Sequence, residues 1–452
     1  MKQRSWHVQY RIVILLAWLL ACQSTEEPVS SDSQLKLSFS SDAIILDTVF
    51  TDLTTPTYRF SVYNKNSKNL RIQRITLQGG NSSPYKVIVN GKAGNQWKDV
   101  FLRAGDSLRI LVSAKLPGNS QSQEPTLFYD ELLFETNGNQ QKVPLISWGQ
   151  SVNHISGTIG CDAVWDAARP YILYDSVSVA PTCSLTIEAG ARVYAYNRAA
   201  LHVFGTLLVN GTPTNPVVMG GFRQEPLYEK AVGTWRGLLL YPNTSRHVLN
   251  YCTLRNTEIG ILCSDTQVDL NGCQIYHASV AGCVAFNSTM RLYNSIISNC
   301  IERLFQANDG GNYELIHCTF ANYEYDFFRN NEPGTVFLQS DGAPAMNIRL
   351  FNSVFWGNLA DEIYFVGPNF TLQAAHNVFK TAIYSAEVLN PSGNQNQVNP
   401  SGALFQNERL LDFRPAENSP LINRGLPTSL TIDIKGNPRD SQPDIGAFEY
   451  HP

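Results

Sequence analysis

Leu249, Cys252 and Leu254; Leu270, Cys273 and Ile275; Leu292, Ser295 and Ile297; Leu315, Cys318 and Phe320; Leu350, Ser353 and Phe355: one phrase recurs five times, a Leu, two residues, Cys or Ser, one residue, then a large apolar side chain. A weaker copy stands at His376, Asn377, Val378 and Phe379. Between the Cys/Ser positions the steps are about 21, 22, 23, 35 and 24 residues, and a fixed period in that range marks a solenoid. One long loop accounts for the 35. A unit this small cannot bury its own apolar face, so it stacks on its neighbours and builds a column of like side chains along the axis.

Working outward, the residues before the repeat include Trp165, Pro170, Tyr171, the phrase Leu185, Thr186, Ile187, Glu188, Ala189, Gly190, and later Trp235, Arg236, Gly237. These resemble the opening coils of right-handed parallel β-helix proteins of the pectate-lyase-like kind, departing from them at Ala189, where Pro is usual. After the repeat, Ser419, Pro420, Leu421, Ile422, Asn423 and Gly425, then Asp433, Gly436, Arg439 and the run from Asp444 to Tyr450, resemble the terminal segment of many bacterial β-helix proteins. That resemblance implies a cap over the last rung, since an open row of strand donors and acceptors invites edge pairing. Arg439 is expected to pair with Asp433 or Asp444, with a calcium site there as the alternative.

The chain opens with Lys2, Arg4 and Arg11 before an apolar run from Ile12 to Ala21, the pattern of an export signal. Leu19, Leu20, Ala21, Cys22 resembles the lipobox of bacterial lipoproteins, which implies acylation of Cys22 and attachment to a membrane. Glu26 and Glu27 in the following segment resemble the acidic tag of Bacteroidetes lipoproteins on the outer face of the outer membrane, so a cell-surface location is expected, with the periplasmic face as the alternative. Short alternating runs then follow: Leu35 to Phe39, Tyr58 to Tyr63, Leu70 to Leu77, Tyr85 to Val89, Ser107 to Ala114, Glu131 to Glu135 and Lys142 to Trp148. Seven strands split by turn signals suit an immunoglobulin-like sandwich serving as a spacer. The expected organisation is a signal peptide at 1–21, a tether at 22–34, the sandwich at 35–150, the β-helix at 151–395 and a terminal coil and cap at 396–452.

A net charge of −4 gives no basic footprint for nucleic acid, and charged residues at 16% suit turn-rich β architecture. Apart from Cys22, eight cysteines remain, an even number in an exported chain, so disulfides are permitted. Cys252, Cys273 and Cys318 share the repeat's inward position with Ser295 and Ser353, which favours free buried thiols, while Cys252 with Cys273 or Cys161 with Cys183 stays open as a bridge. No cysteine or histidine spacing suits zinc, and the histidines read as structural.

Two sets of site candidates follow from the repeat. Eight residues past the anchor stand Gly260, Ala281, Arg303, Asp326 and Asp361, so Arg303, Asp326 and Asp361 would form a ladder on successive rungs, flanked by Glu302, Glu324 and Glu362. Carboxylates sharing a site split their pKa values, the property an acid/base pair or a calcium site uses. The other reading is a solvated ion-pair ladder. The second set, Tyr251, Arg255, Tyr276, Tyr293 and Trp356, with His277, Tyr323 and Tyr325 nearby, would present rings on an outward face for sugar stacking, or pack as ordinary strand aromatics. Insertions from Arg223 to Thr234 and from Arg329 to Asn347 would wall a groove. The expected whole is an all-β, lipid-anchored envelope protein with a non-enzymatic binding or structural role, its partner a polysaccharide or another envelope protein. The alternative is a polysaccharide lyase or glycoside hydrolase. No cofactor is expected, calcium being the one metal the carboxylates would suit.

Overall fold

The computed structural model describes residues 27–118, 124–243, 245–323, 334–342, 344–384, 389 and 394–451. The signal segment and Cys22 lie outside them, as do Glu324, Tyr325 and Asp326. The chain divides into two compact units, Met1–Ser151 and Val152–Pro452.

The first unit is a β-sandwich. One five-stranded sheet runs in the order Ser38–Phe39, Tyr58–Tyr63, Ser107–Ala114, Tyr85–Val89, Lys92–Gly94; the other in the order Ile44–Phe50, Asn139–Gln150, Thr126–Thr136, Leu70–Leu77, Gln96–Leu102. Period-two alternation sends Phe60, Val62 and Ile110 of the first sheet and Ile72, Ile75, Phe134 and Leu145 of the second into one core. Among the described residues there are ten strands rather than seven. Ile44–Phe50 was not expected because its apolar residues do not alternate, and it runs parallel to Asn139–Gln150 through a register shift. Gln96–Leu102 was hidden for a similar reason: Asp99, at φ 54°, breaks its alternation.

The second unit is a right-handed parallel β-helix, a single 24-stranded sheet wound on itself. Each coil contributes to three faces. The first face includes Gly237–Leu240, Ile259–Ser264, Val336–Gln339 and Ile363–Val366; the second includes Arg246–Asn250, Gln267–Asn271, Met346–Phe351 and Phe370–Ala375. The third runs through Val217–Gly221, Cys252–Arg255, Gln274–Tyr276, Ile296–Ser298, Thr319–Asn322, Val354–Gly357 and Val378–Phe379. The long strands Ala281–Tyr293 and Arg303–Ile316 serve the first face with one half and the second with the other. The first strand of this unit, Asn153–Thr158, begins one residue after the unit's start at Val152.

The repeated phrase is the corner between the second and third faces. Its Leu residues pair rung to rung as Leu249, Leu270, Leu292, Leu315 and Leu350. Its closing residues pair as Leu254, Ile275, Ile297, Phe320, Phe355 and Phe379, the last three rings stacked at 5.1 Å per step. The residue before each anchor turns the corner in the left-handed region: Tyr251, Gly272, Asn294, His317, Asn352 and His376 all have φ between 45° and 65°. Gly272 is held to glycine twice over, because a Cβ there would lie 2.5 Å from the Tyr251 ring.

Cys, Ser and Asn interchange at the anchor because each can bond both ways along the corner. Ser295 Oγ accepts from Cys273 N, Ser353 Oγ from Cys318 N, Asn377 Oδ1 from Ser353 N. The same side chains donate backwards, Cys273 to Leu249 O, Cys318 to Leu292 O, Ser353 to Leu315 O and Asn377 to Leu350 O. Backbone groups at a sharp corner would otherwise be unpaired, at about 1–3 kcal/mol each. Cys161 and Cys183 form a disulfide, whereas Cys252, Cys263, Cys273, Cys283, Cys300 and Cys318 are free and buried. Burial pushes the thiols of Cys273 and Cys318 up to about 12, so they stay protonated and inert.

After a short last rung at Gln397–Val398, the C-terminal segment lies along the flank of the third face. Leu404, Phe405, Phe413, Leu421, Ile434, Ile445 and Phe448 pack onto the outward residues Ile296, Ala321, Val354 and Val378. Its hydrogen bonds follow the corner: Arg424 O with His376 Nδ1, Leu426 N and O with Asn352, Ile432 O with Asn294. Arg439 pairs with Glu449 at 3.0 Å rather than with Asp433 or Asp444, and both side chains are almost wholly buried. Asp433 and Asp444 instead accept backbone N–H groups, from Lys435, Asn437 and Glu449 and from Asn423 and Tyr450.

Candidate functional site

Of the charge ladder expected from the repeat, Asp326 lies outside the described residues, and Arg303 and Asp361 stand on either side of Gly334. In the first face Ile259, Ala281 and Arg303 are in register, and the pairings Phe305 with Val336 and Val336 with Ile363 bring Gly334 beside Arg303. The long insertion falls between the Cys318 anchor and this strand, so Gly334 stands sixteen residues past the anchor at the rung after Arg303. The insertion is also no simple loop: Val336–Gln339 inside it is a first-face strand. Arg303 Nη1 donates to Gly334 O and its guanidinium lies 4.8 Å from the Phe337 ring centre. Asp361 Oδ1 accepts from Thr381 Oγ1 and from the backbone N–H of Ala382 and Ile383. Those bonds outweigh the effect of burial and hold its carboxyl below the usual range. Asp361 is thus an ionised turn anchor. Glu362, fully buried, accepts from Thr335 Oγ1 and Leu359 N. Among the described residues no group of three or more His, Cys, Asp or Glu side chains could hold a metal ion.

The five ring and cation candidates scatter into four settings. Tyr251 is a buried corner residue. Tyr293 stands outside the second face, where its hydroxyl donates to Glu314 at 2.6 Å; burial and that carboxylate push its phenol up. Along the same face Arg246, Asp269, Arg291, Glu314 and Arg349 form an alternating ladder, Arg246 to Asp269 at 3.1 Å and Arg291 to Glu314 at 3.9 Å. Its charges satisfy one another, and as a partly exposed array it contributes modestly to stability. Trp356 lies on the third face against the C-terminal segment, with the Lys380 ammonium 5.6 Å from its ring centre.

Arg255 and Tyr276 are the pair that the fold brings together. They are directly opposite on adjacent third-face strands, pointing outward, and Tyr194 and Gly220 precede them in the same column. A Cβ at Gly220 would lie 3.2 Å from Arg255 Cγ, so glycine there lets the Arg255 stem lie flat on the sheet. Burial pushes both phenols up, and the Arg255 charge opposes that shift in each. The insertion from Arg223 to Thr234 stands beside this column: Tyr228, Glu229 and Ala231 carbonyls accept from Asn256 Nδ2, and the Glu229 carbonyl meets His277 Nδ1 at 3.2 Å.

Two residues along the strand from Tyr194, on the same outward side, is a feature the sequence did not disclose. His154, Tyr174, Tyr196 and Phe222 come from four successive coils, with neighbouring ring centres 5.5, 5.4 and 5.1 Å apart. Tyr196 is 39% exposed. Tyr174 and Tyr196 are in direct register, and Phe222 follows Gly221, the partner of Ala195. The only available signal was the recurrence of Tyr at 174 and 196, one coil apart, in a region where the Leu-x-x-Cys phrase has not yet begun.

No protein-family model and no curated protein matches the chain. Among solved structures, the PapD-like domain 7 of human CEP192 is 10% identical, covering 29% of this chain and 95% of that one at a TM-score of 0.18. A family 123 glycoside hydrolase from Clostridium perfringens is 8% identical, covering 26% of each chain at 0.18. The catalytic unit of a GH87 α-1,3-glucanase from Streptomyces thermodiastaticus is 10% identical, covering 70% of this chain and 89% of that one at 0.19. At these TM-scores the likenesses carry no argument, and the architecture rests on the strand pairing itself.

Proposed function

We propose that the chain is a lipid-anchored envelope protein that binds carbohydrate without turning it over, on the outer side of the third face at its N-terminal coils. The observation that carries this reading is the four-ring column of His154, Tyr174, Tyr196 and Phe222, set at the rung spacing of the helix. Aromatic side chains at regular intervals suit a chain of sugar rings, whose apolar C–H patches pack against ring surface. The non-catalytic part of the reading is supported by the employment of Asp361 in a turn and of Arg303 on a carbonyl. The anchor at Cys22 and the outer-membrane location belong to the proposal and rest on the N-terminal sequence.

A glycan array and calorimetry on the purified full-length chain test it. Binding to at least one polysaccharide, lost in Y196A and in F222A while the unfolding midpoint holds, is the expected result. Binding that survives both substitutions would remove the ring column from the account, and release of shortened or unsaturated sugars would replace binding with catalysis.

A further inference from the structure

The stretch expected as a tether is pinned from Glu27 onward. Arg103 donates to the Glu27 carboxylate through Nε and Nη2, the latter at 2.5 Å, and Val29 forms a parallel bridge with Asn69. Asn69 Nδ2 donates to Pro28 O, and the Asn69 carbonyl accepts from Ser30 N. Further on, Asn137 and Asn139 donate to the carbonyls of Asp32 and Ser33. The chain is thus laid against one end of the sandwich, and only residues 23–26 stand between that end and Cys22. The span from Cys22 to Glu27 is at most about 18 Å when fully extended, and about 12 Å on average as a flexible chain.

That end gathers lysines. The loop at 64–69 is shaped by Asn64, whose Nδ2 donates to the carbonyls of Lys68, Leu102 and Arg103, while Asn66 Nδ2 donates to Lys36 O. The turn at 103–106 is tied to it, Gly105 N donating to Asn64 O and Asn64 N to Asp106 O. Lys36, Lys65 and Lys68 are exposed there. The carboxylates of the same end are engaged: Glu27 by Arg103, Asp32 by Gln34 N and Asp106 by Ser107 N. Strand Ser107–Ala114 runs from this end to the other, where Lys86 stands opposite Ser113 and Lys115 follows.

We propose that this end of the sandwich is seated on the lipid surface that holds the Cys22 acyl chains, with Lys36, Lys65 and Lys68 facing its anionic phosphates. This rests on the reading of Cys22 as acylated. An acylated residue sits at the base of a headgroup layer about 5–7 Å deep. An average span of about 12 Å then leaves Glu27 within roughly one Debye length of the phosphates. Lysines held at that distance from an anionic surface add to the attachment that acyl chains provide. The short span also leaves no room for a protein partner between this end and the bilayer. The sandwich is a seated base, not a spacer on a free leash.

The test is amine labelling of the full-length chain on vesicles, read lysine by lysine by mass spectrometry. The vesicles are phosphatidylethanolamine with about one-fifth phosphatidylglycerol, which supplies the anionic surface. On them Lys36, Lys65 and Lys68 of the acylated chain should react about tenfold slower than in the unacylated C22A chain in solution, the shift that one or two lysines on such a surface produce. Lys86 and Lys115 should react equally fast in both. Inserting about twenty Gly and Ser residues between Cys22 and Glu27 lengthens the average span to about 27 Å and should remove most of the protection. K65E together with K68E should free Lys36. Equal rates at all five lysines of the vesicle-bound chain, or protection that survives the insertion, would overturn the seating while leaving the anchor standing. Protection of the same size on phosphatidylcholine alone would overturn the pairing with anionic phosphates. A mature chain without acyl mass at Cys22 would overturn both the seating and the anchor.

Discussion

The two ends of the third face are built from the same columns and put to opposite uses. One outward column runs Thr253, Gln274, Ile296, Thr319, Val354, Val378, and another runs Arg255, Tyr276, Ser298, Ala321, Trp356. Toward the C-terminal end these positions turn apolar or small and lie beneath Phe405, Phe413, Ile445 and Phe448. Toward the N-terminal end they are polar, charged or aromatic, and among the described residues of this unit no apolar C-terminal layer packs on them. The outward side of a solenoid strand is therefore not uniformly surface. Where the terminal segment lies the face is core, and where it stops the same geometry offers rings and a guanidinium in register.

The covered end should fail first when its buried charge pair is broken. R439M leaves the Glu449 carboxylate unpaired in a dry setting, and a loss of about 3–5 kcal/mol in chemical unfolding is expected. A loss below about 1 kcal/mol would mean that the segment is not held by this pair. The next effect depends on pH and probes the interior beneath the open end. His247 is fully buried, its Nδ1 accepts from Leu207 N at 3.1 Å, and burial lowers its pKa from 6.5 to about 4. Between pH 6.5 and 4 the unfolded chain binds the proton that the folded chain refuses. The neutral ring's contribution is therefore present above pH 6.5 and lost as pH falls toward 4, by up to about 3 kcal/mol. H247Q, which keeps an acceptor but cannot titrate, should flatten that part of the profile. Asp444 acts in the opposite sense. Burial raises its carboxyl to about 6, so protonation on acidification favours the folded covered end, and D444N should steepen the acid loss.

Smaller effects sharpen the contrast. S353A removes the acceptor of Cys318 N and the donor to Leu315 O at the corner, at an expected cost of about 1–3 kcal/mol by thermal unfolding. At the open end, Y196A should change stability by about 1 kcal/mol or less while abolishing ligand binding, because an exposed ring contributes little to the core. A large loss of stability in Y196A would turn the ring column from a binding surface into packing.

Much of the second unit was legible because its information is local and periodic. The Leu, anchor and apolar positions recur every coil, and period alone places them in one column whatever the connecting turns do. An offset counted forward from the anchor holds only while no insertion intervenes, and between Cys318 and Val336 one does, so the rung after Arg303 carries Gly334. The ring column escaped for the converse reason: Tyr174, Tyr196 and Phe222 precede the repeat, so no anchor fixed their register. Asp361 looked catalytic as a letter in a string, and only its three hydrogen-bond donors identify it as a turn anchor.

The amino-acid sequence by itself determined the solenoid, its inward columns and the chemistry of its corner, because stacked units repeat the same burial at each step and a small hydrogen-bonding residue is demanded at each turn. Tertiary structure alone decided which outward positions are surface. The C-terminal segment reaches back some hundred residues to cover one end of the third face, and nothing in the covered strands announces it beyond Ile296, Val354 and Val378 standing where Thr253 and Gln274 stand elsewhere. Long-range packing set the boundary between core and candidate site, leaving Arg255 among tyrosines on the open side.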